Sequence, residues 1–238
     1  MDIYSSPDFL EYRLSPSVEV IKGIEISAVY KDTEVHLLGY LNNGGIDKAF
    51  LDILKEFQNE RRERIFKMVK LLSKAGFKID VCDLDKFTGS FSLSRLHLAK
   101  FLESSGQLKD IKEAFSKYIG ENNPCYVRRI CHNLRDAISM LKKYHFLVFL
   151  AHPLHLKNQE WIKNFSDLGL DGIEVFYPQH SERITGYYLG LAKKLGLLVS
   201  GGSDSHGSHK KNTYIGRIKL PYKYAEGISK KCLKTKII

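Results

Sequence analysis

Long apolar runs are absent from this sequence, and that absence excludes one class of protein. No stretch approaches the roughly 20 consecutive apolar residues that a helix needs to cross a bilayer. The opening residues, MDIYSSPDFLEYR, contain neither the basic nor the apolar segment of a secretory signal. We therefore expect no membrane association and a cytoplasmic location.

Cysteine is also scarce. The 238 residues include four, and no C-x-x-C pair occurs among Cys82, Cys125, Cys131 and Cys232. This scattered pattern argues against a disulfide framework and against a cysteine-based zinc site. It indicates reduced thiols, which agrees with a cytoplasmic protein. Nothing in the sequence implies a stable protein partner.

Positive charge is the main feature of the composition. The formal net charge is +10 with nine histidines left uncounted, so the surface should attract anions such as phosphorylated small molecules or RNA. Because lysine is spread along the whole chain, compositional bias explains the charge equally well. Hydrophobic residues make up 43%, which is enough for a core and argues against disorder. The length suits one domain, or one domain with a modest insertion.

Strands and helices alternate in two regions of the chain. Residues 18–21, 25–30 and 33–40 are β-branched runs between turn signals and predict two or three strands, preceded by the end of a helix at 8–14. After residue 124, predicted helices at 135–144, 161–168 and 182–195 alternate with strands in FLVFLAHP, GIEVFYP and GLLVSGGSD. Such alternation indicates parallel β/α units, so the sequence predicts an α/β fold.

A helical segment separates these regions. The stretch IDKAFLDILKEFQNERRERIFKMVKLLSKAG has apolar residues at helical spacing and ends at Gly76, a natural C-cap. FSLSRLHLAKFLESSG and DIKEAFSKYIGENNP repeat the pattern as two shorter helices. We interpret residues 50–124 as an inserted helical subdomain. Residues 1–49 and 125–238 would then be the two parts of one discontinuous domain.

Residues able to bind a metal stand in or just after the predicted strands. In LLVSGGSDSHGSHKK, Asp204 and His206 follow a strand with one residue between them; His152 ends FLVFLAHP, Glu25 lies in GIEIS and His36 in DTEVHLLGY. In a parallel α/β barrel, functional groups gather at the carboxyl ends of the strands, so residues remote in sequence can share one site. Histidine together with carboxylate suits divalent ions such as Zn²⁺, Mn²⁺ or Fe²⁺.

Each of these residues also has an ordinary explanation. Asp204 and His206 can belong to a polar loop with no special role, and His36, among apolar neighbours, can be a hydrogen-bonded strand residue. Glu25 is harder to explain in this way, because a buried carboxylate is costly unless it is paired or bound to a metal. The metal interpretation therefore depends on the joint pattern more than on any single residue.

The ordered motifs GIEIS, EVHLLGY, FLAHP, GIEVFYPQHS and GLLVSGGSDSHG resemble those of the PHP (polymerase and histidinol phosphatase) superfamily. RRERIFKMVKLLSKAG, SRLHLAKFLESSG and EAFSKYIG resemble one branch of it, the nucleoside 3′,5′-bisphosphate phosphatases and related 5′-to-3′ exoribonucleases, which carry a helical insertion at this place. The resemblance covers nearly the whole chain. It implies a distorted β/α barrel, related to the TIM barrel, that hydrolyses phosphate esters with two or three divalent metal ions.

The resemblance also implies roles for individual residues. Five positions match the family's metal ligands: Glu25, His36, His152, Asp204 and His206. The implied cofactors are divalent ions, Mn²⁺, Zn²⁺ or Fe²⁺. Glu174 in GIEVF either supports this site or caps its strand.

Residues of the helical insertion match positions expected to face the substrate phosphate. The family sequence GRPH appears here as SRLH, so Arg95 and His97 are the implied catalytic and substrate-binding groups. An arginine can grip a phosphate with two parallel hydrogen bonds. The ordinary alternative is that both side chains are solvated on an amphipathic helix, and Ser94 and Leu96 alter the local backbone. His180 in PQHSER matches a recurrent family histidine and is a further substrate-binding candidate.

One part of the family pattern does not occur in this sequence. Family members begin with an H-x-H motif, a downstream Asp and a D-H-D-like motif, which supply about half of the ligands, whereas the first histidine here is His36. We therefore expect an N-terminally incomplete barrel that cannot close, and fewer metal ions than in an intact site. Met1 is then either an internal methionine of a longer product or the start of a natural truncation.

These implications favour hydrolysis of a nucleotide phosphate ester, either in a nucleoside 3′,5′-bisphosphate or at the 5′ end of a short RNA. Arg95 and a second metal ion would neutralise charge on the phosphoryl oxygens. His97 would either orient the phosphate or protonate the leaving oxygen. Two alternatives stay open: a catalytically impaired remnant of the family, or a phosphatase for a small metabolite such as histidinol phosphate.

Overall fold

The computed structural model describes residues 21–42, 46–88, 93–129, 131–205 and 214–234. The strands in this part of the chain are β1 (Gly23–Tyr30), β2 (Thr33–Leu41), β3 (His132–Asn133), β4 (Phe146–Leu150), β5 (Gly172–Phe176) and β6 (Leu198–Gly201). The helices are α1 (Lys48–Lys74), α2 (Val81–Thr88), α3 (Arg95–Ser104), α4 (Ile111–Ala114), α5 (Leu134–Lys143), α6 (Trp161–Asp167), α7 (Glu182–Leu195) and α8 (Tyr222–Lys234). The helix end predicted at 8–14 lies outside the described residues, as does most of the strand predicted at 18–21.

The described residues divide into two units. Residues 21–47 and 131–234 form the sheet unit, which contains all the strands named above, and residues 48–129 form the helical unit. The helical unit overlaps the segment 50–124 interpreted as an insertion. The assignment of the flanking segments to one barrel domain stays a prediction.

The sheet has six strands in the order β3-β1-β2-β4-β5-β6. β2 runs antiparallel to both of its neighbours, β1 and β4, while β4, β5 and β6 are parallel to one another. Strands β1, β4, β5 and β6 therefore point the same way, and their carboxyl ends share one edge of the sheet. Within the described ranges the sheet is open, with β3 and β6 as its outermost strands.

Helices cover the sheet and make its central strand fully buried. Every residue of β4, with the sequence FLVFL, is buried, as expected for a strand packed on both faces. Helix α5 packs against β1, β2 and β4, and α8 packs against β6. Gly172 at the start of β5 allows the closest approach in this core, because a Cβ atom there would stand 2.1 Å from the Phe149 ring.

The helical unit has its own apolar core. Buried residues of α1 pack with residues of α3 and the segment that follows it, and the core includes Ile65, Met68, Leu72, Leu98, Leu102 and Ile119. Helix α1 ends two residues before Gly76, whose positive φ of 95° suits the predicted C-cap. Within the described ranges, no helix combines the length and the apolar character needed to cross a membrane.

Candidate metal centre

Three of the five predicted metal ligands converge in the sheet unit. Glu25 lies in β1, His36 in β2, and His152 two residues after β4. Because Ser27 pairs with His36 in the β1–β2 hairpin, Glu25 and His36 lie on the same face of the sheet. The Ala151 N–H donates to the His36 carbonyl oxygen at 3.0 Å, and this bond brings the segment that carries His152 to the same place.

The ligand atoms of these residues form a small triangle, called here the donor triangle. His36 Nδ1 lies 3.0 Å from His152 Nε2 and 3.1 Å from Glu25 Oε1, and Glu25 Oε1 lies 3.5 Å from His152 Nε2. Two ligand atoms bound at about 2.0–2.1 Å to one tetrahedral ion are about 3.3 Å apart. The donor triangle therefore has the dimensions of three ligands of a single ion. Its imidazole and carboxylate donors suit a divalent transition metal or zinc.

Hydrogen bonds set the charge state of the donor triangle. Burial acts to raise the pKa of Glu25, but hydrogen bonds from His152 and His36 outweigh it and hold this pKa well below its usual range. Burial acts to lower the pKa of His36, whereas its hydrogen bonds to Glu25 and Glu34 raise it to about 9. A proton on His36 and a divalent ion therefore compete for the same carboxylate.

The backbone is strained at two of the predicted ligand positions. His152 has φ 29° and ψ 63°, and Asp204 has φ 45°, both in the left-handed region. His152 also precedes Pro153, and a residue before proline ordinarily prefers an extended backbone. Strained residues of this kind cluster at functional sites, where the surrounding structure holds them in place.

Glu174 contacts the segment that carries His152. This residue of β5 is only 5% exposed, and its Oε2 accepts the backbone N–H of His152 at 2.8 Å. Burial raises the pKa of Glu174 to about 7, although the hydrogen bond from His152 opposes the shift. From the sequence, strand capping and support of the site were equally open for Glu174, because only the side-chain conformation shows what the carboxylate touches.

The two predicted metal ligands after β6, Asp204 and His206, are not part of the donor triangle as described. Asp204 Oδ2 accepts the Tyr177 hydroxyl at 3.1 Å, and Asp204 is not one of the three residues of the donor triangle. His206 lies outside the described residues. Sequence reasoning missed Tyr177, although its position directly after the strand GIEVF is a usable signal. Its ring centroid lies 5.8 Å from that of His152.

His180 lies beside this region without joining the donor triangle. Its Nδ1 is 2.7 Å from the Val175 carbonyl oxygen, so Nδ1 carries the hydrogen and Nε2 is the free acceptor. Burial lowers the pKa of His180, which keeps the ring neutral. The rings of Tyr177 and Tyr188 lie 5.2 and 5.1 Å from it. Its role in substrate binding stays a prediction.

Arg95 and His97 lie at the start of α3 in the helical unit. The Arg95 guanidinium stacks over Phe115 and Tyr126, with its carbon 5.6 and 5.4 Å from the ring centroids. His97 and Ser94 form a capping box: Ser94 Oγ accepts the His97 N–H, and His97 Nδ1 accepts the Ser94 N–H. His97 thus has a structural task at the helix start, and the phosphate contacts of both residues stay predictions.

Comparison with known proteins gives a consistent set of relatives, although no family model matches the chain. The chain is 29% identical over 203 residues to a 3′,5′-nucleoside bisphosphate phosphatase from Chromobacterium violaceum, covering 79% of this chain and 68% of the relative. It is 26% identical over 195 residues to the 5′-3′ exoribonuclease Rnm from Escherichia coli, covering 80% and 66%. The chain spans about two thirds of the length of these curated relatives.

A solved structure shows the same fold. A protein from Bifidobacterium adolescentis, assigned as a metal-dependent phosphoesterase, matches with a TM-score of 0.77 at 25% identity, over 92% of this chain and 78% of the other. Fold and relatives thus define the class as phosphoesterases with a barrel-type α/β fold, and the predicted fold class is confirmed. The resemblance found in the sequence is confirmed as well. This chain is similar to nucleoside bisphosphate phosphatases and 5′-3′ exoribonucleases, the branch of the PHP superfamily that its sequence resembles.

Proposed function

We propose that this chain is a metal-dependent phosphoesterase that hydrolyses a phosphate ester of a nucleotide. The substrate would be a nucleoside 3′,5′-bisphosphate or the 5′ end of a short RNA, because the relatives are named for these activities. The observation that carries the proposal is the donor triangle of Glu25, His36 and His152, whose spacing fits a single divalent ion.

The residues of the donor triangle would receive the ion with a negatively charged ligand already in place. Glu25 is ionised at neutral pH because its pKa is held low, so it offers a full negative charge. When bound, a divalent ion there lowers the pKa of a water molecule towards neutrality and polarises a phosphoryl oxygen. Zn²⁺, Mn²⁺ and Fe²⁺ are the proposed ions.

Further ligands and substrate contacts extend this site in the proposal. Asp204 and His206 would add ligands to this metal centre, which would hold fewer ions than the two or three of an intact family site. The Tyr177 hydroxyl stays protonated because burial raises its pKa, so it can orient the Asp204 carboxylate as a hydrogen-bond donor. Arg95 and His97 would bind the substrate phosphate, and a net charge of +10 favours such an anion.

We also propose a cytoplasmic location for this activity. The four scattered cysteines, with no C-x-x-C pair, support a reducing compartment. Nucleotides and RNA fragments are then the partners of the chain, with no membrane or stable protein partner involved.

Metal analysis combined with assays of phosphate release from the bisphosphate and of mononucleotide release from RNA tests the proposed function. The purified protein is expected to bind Mn²⁺, Zn²⁺ or Fe²⁺ and to hydrolyse adenosine 3′,5′-bisphosphate or a short 5′-phosphorylated RNA, with loss of activity in a chelator. His152→Asn should lower turnover at least about 100-fold. His145→Asn is the matched control, because His145 is an exposed histidine just before the same strand β4.

The assay separates the proposed function from its alternatives. Turnover that survives both chelation and His152→Asn would contradict the metal site. Binding of no metal and turnover of no substrate would favour the impaired remnant. Preference for histidinol phosphate over both nucleotide substrates would favour the small-metabolite phosphatase.

A further inference from the structure

His152 reaches the donor triangle from an unfavourable backbone conformation. Its φ of 29° and ψ of 63° are unusual for a residue with a side chain, and more so for one that precedes proline. In this conformation Nε2 lies 3.0 Å from His36 Nδ1 and 3.5 Å from Glu25 Oε1. A relaxed, extended backbone at His152 would point the imidazole elsewhere. Some neighbouring group must therefore stabilise the strained form.

Glu174 is placed to stabilise the strained backbone of His152. β4 and β5 are parallel, with Leu150 paired to Ile173, so Glu174 lies beside the segment that leaves β4. Its buried Oε2 accepts the His152 N–H at 2.8 Å. Its other oxygen lies against Gly202, where a Cβ atom would stand only 2.8 Å from Oε1. The carboxylate is thus confined between the ends of β4 and β6.

The geometry points to Glu174 as the positioning residue of the metal centre. Its carboxylate holds the backbone of His152 in the left-handed conformation that directs Nε2 towards Glu25 and His36. Glu174 is not itself one of the residues of the donor triangle, so its effect passes through His152. The consequence for metal binding rests on the proposed function, whereas the effect on His152 can be measured without any metal.

Two variants of Glu174 distinguish its role as a hydrogen-bond acceptor from its role as a negative charge. Glu174→Gln keeps an acceptor oxygen, and Glu174→Met keeps the volume but removes the acceptor. Asp171 provides a control, because its Oδ2 is likewise an acceptor between the same two strands: it accepts the Val148 N–H at 2.7 Å and also pairs with Lys142 Nζ. Asp171→Asn removes the charge and Asp171→Leu removes both the charge and the acceptor, at a residue outside the donor triangle. Gly202→Ala displaces the Glu174 carboxylate without altering it.

The first readout uses the metal-free protein. Backbone chemical shifts and amide exchange of His152 are measured by NMR in each variant. We expect Glu174→Met and Gly202→Ala to move the His152 shifts away from left-handed values and to speed exchange of its amide. Glu174→Gln and both Asp171 variants should leave them unchanged. Left-handed His152 shifts retained in Gly202→Ala and Glu174→Met would overturn the inference.

The second readout is the affinity for Mn²⁺ or Zn²⁺. Glu174→Met should weaken binding about 10- to 100-fold, the usual effect of losing a group that orients a ligand, and Glu174→Gln should stay within about threefold of the wild type. If Glu174→Gln loses as much affinity as Glu174→Met, the charge matters and a positioning role is wrong. If the wild type binds no metal but the His152 shifts respond as expected, the proposed function fails while the positioning of His152 stands.

Discussion

Metal binding at the donor triangle should release a proton, because His36 is protonated at neutral pH in the metal-free protein. Its hydrogen bonds to Glu25 and Glu34 raise its pKa to about 9. At pH 7 only about one molecule in 100 then has the neutral imidazole that a metal requires. The apparent affinity at pH 7 is therefore expected to be about 100-fold below its limit, equivalent to about 2.7 kcal/mol at about 1.36 kcal/mol per pH unit.

Isothermal titration calorimetry with Mn²⁺ measures this effect directly. Titrations at pH 7 in two buffers of different ionisation enthalpy should show the release of about one proton per ion. The affinity should rise about tenfold per pH unit from pH 7 and level off near pH 9. Glu34→Gln should shift the levelling point to lower pH, because it removes a negative charge that helps to hold the proton on His36. An affinity that is independent of pH, with no proton released, would refute the reasoning.

Three further predictions concern folding stability. In the metal-free protein, the raised pKa of His36 stabilises the fold; this contribution is complete below the usual pKa of 6.5 and is lost as the pH rises through about 9. Urea unfolding should therefore show a free energy of unfolding that falls by about 1–2 kcal/mol over this range, after allowance for the partly exposed ring. An unchanged free energy of unfolding would contradict this prediction. Gly172→Ala should lower the free energy of unfolding by about 1–3 kcal/mol in thermal unfolding, because the new methyl group meets the Phe149 ring. Adding Phe149→Leu should restore much of the lost stability. An unchanged Tm in the single variant would disprove the close contact. Ser94→Ala removes the N-cap of α3 and should cost about 1 kcal/mol, whereas Ser94→Asp should retain most of that stability; equal losses would argue against the cap.

Elements with clear ends are predictable from this sequence. The helix expected at 182–195 is Glu182–Leu195 in the structure, because the Ser181 side chain caps its start and Gly196, with φ 67°, ends it. β3, with two residues, is too short to show any periodicity. Helix α2 was also missed; its Asp80 side chain accepts the Asp83 N–H at the helix start, but eight residues give a weak pattern.

The candidate site was partly predictable for a different reason. Residue type and position in the strands singled out Glu25, His36 and His152, but the expected arrangement was a set of parallel strand ends. The structure instead places Glu25 and His36 within an antiparallel hairpin, where register and not strand ends brings them together. The bond from His152 to Glu174 depends on a strained backbone and on side-chain conformation, neither of which a sequence pattern encodes.

The bond between the Ala151 N–H and the His36 carbonyl has a consequence for the choice of ion. It joins the two imidazole-bearing segments through the main chain and sets the separation of their backbones, at which His36 Nδ1 and His152 Nε2 lie 3.0 Å apart. Calcium prefers six to eight oxygen ligands at about 2.3–2.6 Å and tolerates a loose, variable shell. A pair of imidazole nitrogens 3.0 Å apart supplies neither the oxygen atoms nor the wide shell that this ion prefers, so the donors that the two paired segments present disfavour the larger, harder cation.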